Sequence, residues 1–137
     1  MAKGEIFVDT AFFVGLVNAR DFTRQKALRL ARELAEKRPS LITTDAVLIE
    51  VGNVFSRTPL RRGAIALISQ IRADKGWSVL RLEAELVSRG EARYARFRDK
   101  NWSMTDCISM EVMQARGIGE IATTDQGFAQ AGFKLLL

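Results

Sequence analysis

A chain of 137 residues, 47% apolar and 27% charged, is sized and composed for a single globular domain over residues 1–137. With no histidine and one cysteine, Cys107, it excludes Ser-His-Asp and Cys-His catalysis, imidazole metal sites, an internal disulfide and any cysteine-cluster zinc site. Its net charge of +5 points to a polyanionic partner, and its chemistry must rest on carboxylates, hydroxyls, Lys, Arg or a hard metal.

The apolar start is preceded by Lys3 and Glu5 and interrupted by Asp9, which argues against a signal peptide. No stretch approaches the ~20 apolar residues of a membrane helix, so a cytoplasmic protein with no membrane partner is expected. Ile6-Phe7-Val8 reads as a short buried strand, with Asp9 at its end and a helix over 10–17. In an open α/β sheet that strand end is where ligands bind, although an Asp there can equally cap the next helix. Asp21-Phe22-Thr23 is a turn. The segment 23–37 then places Ala27, Leu30, Ala31 and Leu34 on one helical face and is closed by Pro39. Leu41-Ile42-Thr43 is a second strand, followed by Thr44 or Asp45 as a cap.

A helix over 45–57 aligns Val47, Leu48, Val51, Val54 and Phe55 in one apolar stripe, and Glu50 shares that side. A carboxylate bordering a core stripe either reaches water from its shoulder or needs a partner. Thr58-Pro59 breaks the chain before a helix over 60–75 that carries Ile65, Ile68 and Ile71. Gly76 ends it, and Trp77 to Leu80 is a third strand candidate. A helix over 83–97 turns Leu86 or Val87, Tyr94 and Phe97 inward. Arg89, Arg93, Arg96 and Lys100 then form a basic ridge, ordinary solvated surface unless an acidic site makes it a phosphate contact. The helix over 103–116 is capped by Ser103 and ended by Gly117, with Asp106 in its first turn, where it favours the macrodipole. A fourth strand over 120–123, Asp125, a helical turn over 126–131 and an edge strand over 133–136 complete the chain. Cys107 is expected to be a buried thiol. Phe12, Phe13 and Trp102 are expected in the core, or at an oligomer interface if exposed.

Strands alternating with helices describe an α/β domain with a central parallel β-sheet flanked by helices and right-handed connections; strand order is not visible in the pattern. In such a sheet strand carboxyl ends and helix amino ends share one edge. Asp9, Glu50, Asp106 and Asp125 can therefore converge there. Crowded carboxylates raise one another's pKa, and a hard divalent cation, Mg2+ or Mn2+, relieves the repulsion. Such an ion can activate water or clamp the oxygens of a phosphodiester displacement.

Val8-Asp9-Thr10, Glu50, Thr105-Asp106 and Thr123-Thr124-Asp125, taken in order, resemble the PIN-domain ribonucleases over nearly the whole chain. The length fits the VapC-like toxins of toxin–antitoxin pairs. The resemblance implies a PIN-like fold in which Asp9, Glu50, Asp106 and Asp125 coordinate one or two Mg2+ or Mn2+ ions. These activate water to hydrolyse single-stranded or loop RNA. It further implies that Thr10 and Thr123 support the cluster, and that the protein forms a homodimer inhibited by a cognate antitoxin. Two departures stand out: Ala11 replaces the Asn or Ser that many relatives carry, and Gln126-Gly127-Phe128 lacks a frequent His but keeps the Phe. Ala11 also argues against an aspartate-nucleophile phosphatase of the haloacid dehalogenase type, which needs a second Asp there. An early Asp9 fits a receiver domain poorly. The remaining alternative is a non-catalytic PIN-like module that binds RNA or protein.

Overall fold

The computed structural model describes residues 4–137. Its strands are β1 (Glu5–Val8), β2 (Ser40–Thr44), β3 (Trp77–Leu80), β4 (Glu120–Ala122) and β5 (Lys134–Leu135). They pair in the order β3-β2-β1-β4-β5, every neighbour parallel. Phe7 of the central strand is matched to Ile42 on one side and Ile121 on the other, and all three are fully buried. Helices cover both faces of the sheet, which is why these strands read as unbroken apolar runs. The chain passes from β1 outward through β2 to β3, then returns to add β4 and β5 on the other side. The reversal falls between β1 and β4, the place where parallel sheets open a crevice at their carboxyl ends.

Among the described residues seven helices join the strands: α1 (Thr10–Val17), α2 (Arg24–Lys37), α3 (Asp45–Val54), α4 (Arg61–Ala73), α5 (Ala84–Arg96), α6 (Met104–Arg116) and α7 (Gln126–Gln130). Local signals set most of their ends. Thr44 caps α3, its Oγ1 accepting from the Val47 N–H at 3.3 Å. Gly117 ends α6 in the left-handed region at φ 67°. The helix expected over 45–57 stops at Val54, because the Ser56 and Thr58 hydroxyls donate to the Asn53 and Phe55 carbonyls and divert the backbone into a turn. That early end leaves Val54 exposed, contrary to its expected place in the stripe, while Val47, Leu48, Val51 and Phe55 are buried.

Helices α5 and α6 form an antiparallel pair with an unusually close contact. A Cβ on Gly90 would lie 2.5 Å from Ile108 Cγ1 and 3.4 Å from the Ile108 backbone. The face of α5 turned to α6 is therefore Leu86, Gly90, Arg93 and Phe97. Tyr94, expected to point inward, is 51% exposed. One helical position separates it from Arg93, whose guanidinium occupies the inward slot by bonding Glu111 at 2.6 Å and also Gln114. Gly90→Ala is expected to lower stability by about 1–3 kcal/mol through overpacking at this crossing. Urea unfolding would measure it, and an unchanged midpoint would show that the helices separate freely. Phe12, Phe13, Trp102 and Cys107 are buried as expected. Among the described residues no helix is long and apolar enough to cross a membrane.

Candidate functional site

β1 ends at Val8, and Asp9 extends its pairing with β4 by donating its N–H to the Ala122 carbonyl at 3.2 Å. Asp9 stands at the N-cap of α1 with an extended backbone, yet its carboxylate makes no capping hydrogen bond to that helix. Its Oδ2 instead accepts from the Thr123 hydroxyl at 2.8 Å, and the residue is only 5% exposed. Thr123 Oγ1 in turn accepts from the Asp125 N–H at 3.2 Å, so one hydroxyl ties the ends of β1 and β4 together. On the other side, the Thr43 hydroxyl donates to the Val8 carbonyl at 2.8 Å and steadies the strand end. Nothing in the sequence reading singled out Thr43. A β-branched hydroxyl after two apolar strand residues is too common a pattern to flag it.

Of the remaining acids, Asp106 and Asp125 stand at helix amino ends and Glu50 in the middle of α3. Glu50, on the shoulder of α3, accepts a 2.6 Å hydrogen bond at Oε1 from the Thr10 hydroxyl, which links α3 to the first residue of α1. Asp106 closes a capping box with Ser103: its Oδ2 accepts from the Ser103 N–H, and its own N–H donates to Ser103 Oγ, both at 3.0 Å. Asp125 is exposed at the N-cap of α7, and its Oδ1 accepts from the Gly127 N–H at 2.8 Å. A Cβ on Gly127 would fall 3.1 Å from that same Oδ1 and 2.9 Å from the Trp102 ring, so only glycine leaves both in place.

Electrostatics groups these side chains. Burial raises the Asp9 carboxyl to about 7; the Thr123 hydroxyl and the Thr10 amide pull it back, and the charges of Asp106 and Glu50 push it up. Asp106 is also raised, first by burial and then by Asp125 and Glu50, against the opposing Ser103 groups. Asp106 is thus the carboxylate with which the other three all interact. The ion pairs among the described residues involve Asp45, Glu111, Asp99, Glu5 and Glu120, and none of the four acids. The edge gathers four carboxylates that form no ion pair with any Lys or Arg among the described residues.

An all-oxygen, uncompensated donor set fits a hard divalent cation in charge and chemistry. As the side chains stand, however, no three acidic or thiol groups among the described residues surround one point closely enough to hold an ion. Each carboxylate is turned to a local donor, from Thr123, Thr10, Ser103 or Gly127, which spreads the like charges apart.

The basic ridge divides. Arg89 is exposed but shares a hollow with Val112, Ala115 and Arg116, towards the far end of α6 from Asp106. Arg93 is held by Glu111 and Gln114 with its side chain only 14% exposed, so it is not a free phosphate contact. Arg96 lies over the Phe97 ring at 5.1 Å, and Lys100 lies in the turn leading to Ser103. Of the four, Lys100 alone lines a hollow with Ser103, the residue that caps Asp106. A cavity of about 480 Å3 lies away from it, around the amino ends of β2 and β3, lined by Phe12, Phe13, Leu34, Leu67 and Trp77 and by none of the four acids.

With this geometry in place, comparison with known proteins is specific. The chain matches the PIN domain family over residues 6–134. It is 33% identical over 128 residues to the 23S rRNA-specific endonuclease VapC20 of Mycobacterium tuberculosis, covering 93% of this chain and 95% of the relative. The crystal structure of VapC20 from M. tuberculosis, described as a sarcin-ricin loop cleaving toxin, superposes with a TM-score of 0.81 at 30% identity, covering 93% and 95% of the two chains. FitAcB from Neisseria gonorrhoeae superposes with a TM-score of 0.65 over 95% of each chain, and at 12% identity this likeness concerns the fold alone.

Proposed function

This chain belongs to the PIN-domain family, and on that premise we propose that it is a Mg2+- or Mn2+-dependent endoribonuclease, the cytoplasmic toxin of a toxin–antitoxin pair. It is a homologue, over nearly its whole length, of an endonuclease that acts on 23S rRNA. The substrate class we infer is a structured loop of RNA, and the sarcin-ricin loop is the first candidate because VapC20 is described as cleaving it.

One observation carries the reading. Asp9 is buried at the carboxyl end of the central strand, faces two further carboxylates and has no cationic partner among the described residues. Such an arrangement costs stability, and a bound cation removes the cost. Asp9, Glu50, Asp106 and Asp125 would hold one or two ions. A divalent ion there supplies Lewis-acid stabilisation of phosphate charge and a more acidic bound water. The chain's own groups do the positioning: Thr123 orients Asp9, Thr10 orients Glu50, and the Ser103 capping box orients Asp106. Arg96 and Lys100, exposed at the carboxyl end of α5 and in the turn after it, are the members of the ridge proposed to meet the RNA backbone. The cognate antitoxin and a second copy of the chain are proposed as partners. Ile49 and Val54 on α3 and Ile65 on α4, all about half exposed, offer apolar surface for such contacts.

The test is incubation of the purified protein with a sarcin-ricin stem-loop RNA in Mn2+, Mg2+ or EDTA, with melting temperature recorded in parallel. Cleavage within the loop is expected with either ion and not in EDTA, and Mn2+ is expected to raise the melting temperature by linkage. Absence of both cleavage and a thermal shift would leave the non-catalytic binding module as the better description.

A further inference from the structure

The turn joining α5 to α6 encloses a second cavity, of about 450 Å3, to which the cleavage chemistry assigns no role. Its volume lies within the range of small-ligand sites. Phe97 and Trp102 form its floor, with ring centroids 5.0 Å apart. Trp102 is 7% exposed and fixed by its Nε1–H, which donates to Gln130 Oε1 at 3.3 Å. Tyr94 forms a wall with half its surface open to solvent, and Arg98, Lys100 and Asn101 supply exposed polar groups around it. The one acid in this turn, Asp99, faces solvent 3.6 Å from Lys100. On the remaining side stands Ser103, hydrogen-bonded both ways to Asp106. The cavity and the acidic edge therefore share a wall one residue thick.

Aromatic surface, two cations and an amide in one recess match the chemistry of a single nucleotide: a π-face to stack, an edge to hydrogen-bond and a phosphate to neutralise. We propose that this cavity receives an unpaired RNA base adjoining the phosphodiester presented to the acids. The base stacks on Tyr94, Arg98 and Lys100 hold its phosphate, and Asn101 meets its edge. A duplex cannot fill the site, because its bases are stacked within the helix; a splayed loop base can. The proposal deepens the ribonuclease reading and rests on it for the nature of the strand. It also explains the outward Tyr94, which the α5–α6 contact does not use.

Binding of a short labelled oligoadenylate, measured by fluorescence anisotropy in EDTA, tests the pocket without cleavage. The wild-type protein is compared with Tyr94→Ala, Tyr94→Phe and Arg98→Ala/Lys100→Ala, and each is also measured with an abasic strand of the same length and charge. Tyr94→Ala is expected to weaken oligoadenylate binding about tenfold and leave abasic binding unchanged, while Tyr94→Phe keeps wild-type affinity. The double variant is expected to lower the salt slope by about 0.7 per cation removed. Equal affinity of wild type and Tyr94→Ala, or equal affinity of the two strands for wild type, overturns the pocket. Cleavage in Mn2+ judges the nuclease reading separately. A protein that cuts RNA but ignores Tyr94 loses only the pocket, and one that never cuts yet prefers the strand with bases loses only the nuclease.

Discussion

Asp9→Asn is expected to reduce RNA cleavage by at least about a hundredfold and, in metal-free buffer, to raise the melting temperature by several degrees. The two effects have one cause. Asn has nearly the shape of Asp, and its carbonyl oxygen can still accept from the Thr123 hydroxyl that holds Asp9 at 2.8 Å. What disappears is a negative charge in a site 5% exposed, facing Asp106 and Glu50. Without a cation that charge is unfavourable; with one, it is the attachment on which the proposed chemistry depends. Asp106→Asn is expected to behave alike, since all three other carboxylates act on Asp106 and its bond from the Ser103 N–H needs only an oxygen. Cleavage rates in Mn2+ and melting curves in EDTA on the same preparations decide the matter. Full activity in both variants would remove these acids from the active site. Loss of stability together with activity would make Asp9 a structural residue.

The stability of the metal-free protein should carry a pH dependence of matching sign. The Asp9 carboxyl titrates near 7 in the folded chain and near 3.8 when unfolded, so between these values the folded state binds more protons. Stability from this group is complete below about pH 4, declines as pH rises through 7, and is level above it. A shift of that size corresponds to about 4 kcal/mol. The raised Asp106 carboxyl adds in the same direction. The difference between wild type and Asp9→Asn isolates the contribution of this one group from those of the chain's other carboxylates. Asn should gain its advantage progressively from pH 4 to 7, and Mn2+, which favours the ionised carboxylates, should stabilise wild type most at the upper end. Urea unfolding across the window measures both. A wild-type–Asn difference that does not vary with pH would place the Asp9 carboxylate in water rather than in the buried crevice.

Much of this arrangement is legible along the chain because its causes are local. Ser103 caps α6 as its place before the helix indicates, and the structure adds the reciprocal bond from its N–H to Asp106. The cap of α3 is narrowed by local signals to Thr44 or Asp45, of which the structure uses Thr44, and the apolar runs that became β1, β2 and β4 are read within four or five residues. Where two neighbouring positions compete for one inward slot, local pattern fails. Arg93 and Tyr94 are adjacent on α5, and apolar character favours Tyr94. The slot went to Arg93 because Gly90 lets α6 approach and bring Glu111 and Gln114 to the guanidinium. Val54 fails similarly, through side-chain bonds that end α3 just beneath it.

Asp9 separates the two kinds of information most sharply. Its position after a short apolar strand allowed either a helix cap or a ligand-binding carboxylate, and residues nearby could not choose between them. Thr123, 114 residues away, accounts for the absence of a cap by taking the carboxylate. By itself the sequence determined the alternation of strands and helices, the capping positions and the absence of histidine chemistry, since these depend on residue type and near neighbours. Only the tertiary structure decided that β1 and β4 lie side by side, that Asp9 is buried between their ends with no counter-ion among the described residues, and that Tyr94 faces outward. Strand order, desolvation and charge proximity arise from contacts between distant segments, which no local periodicity encodes.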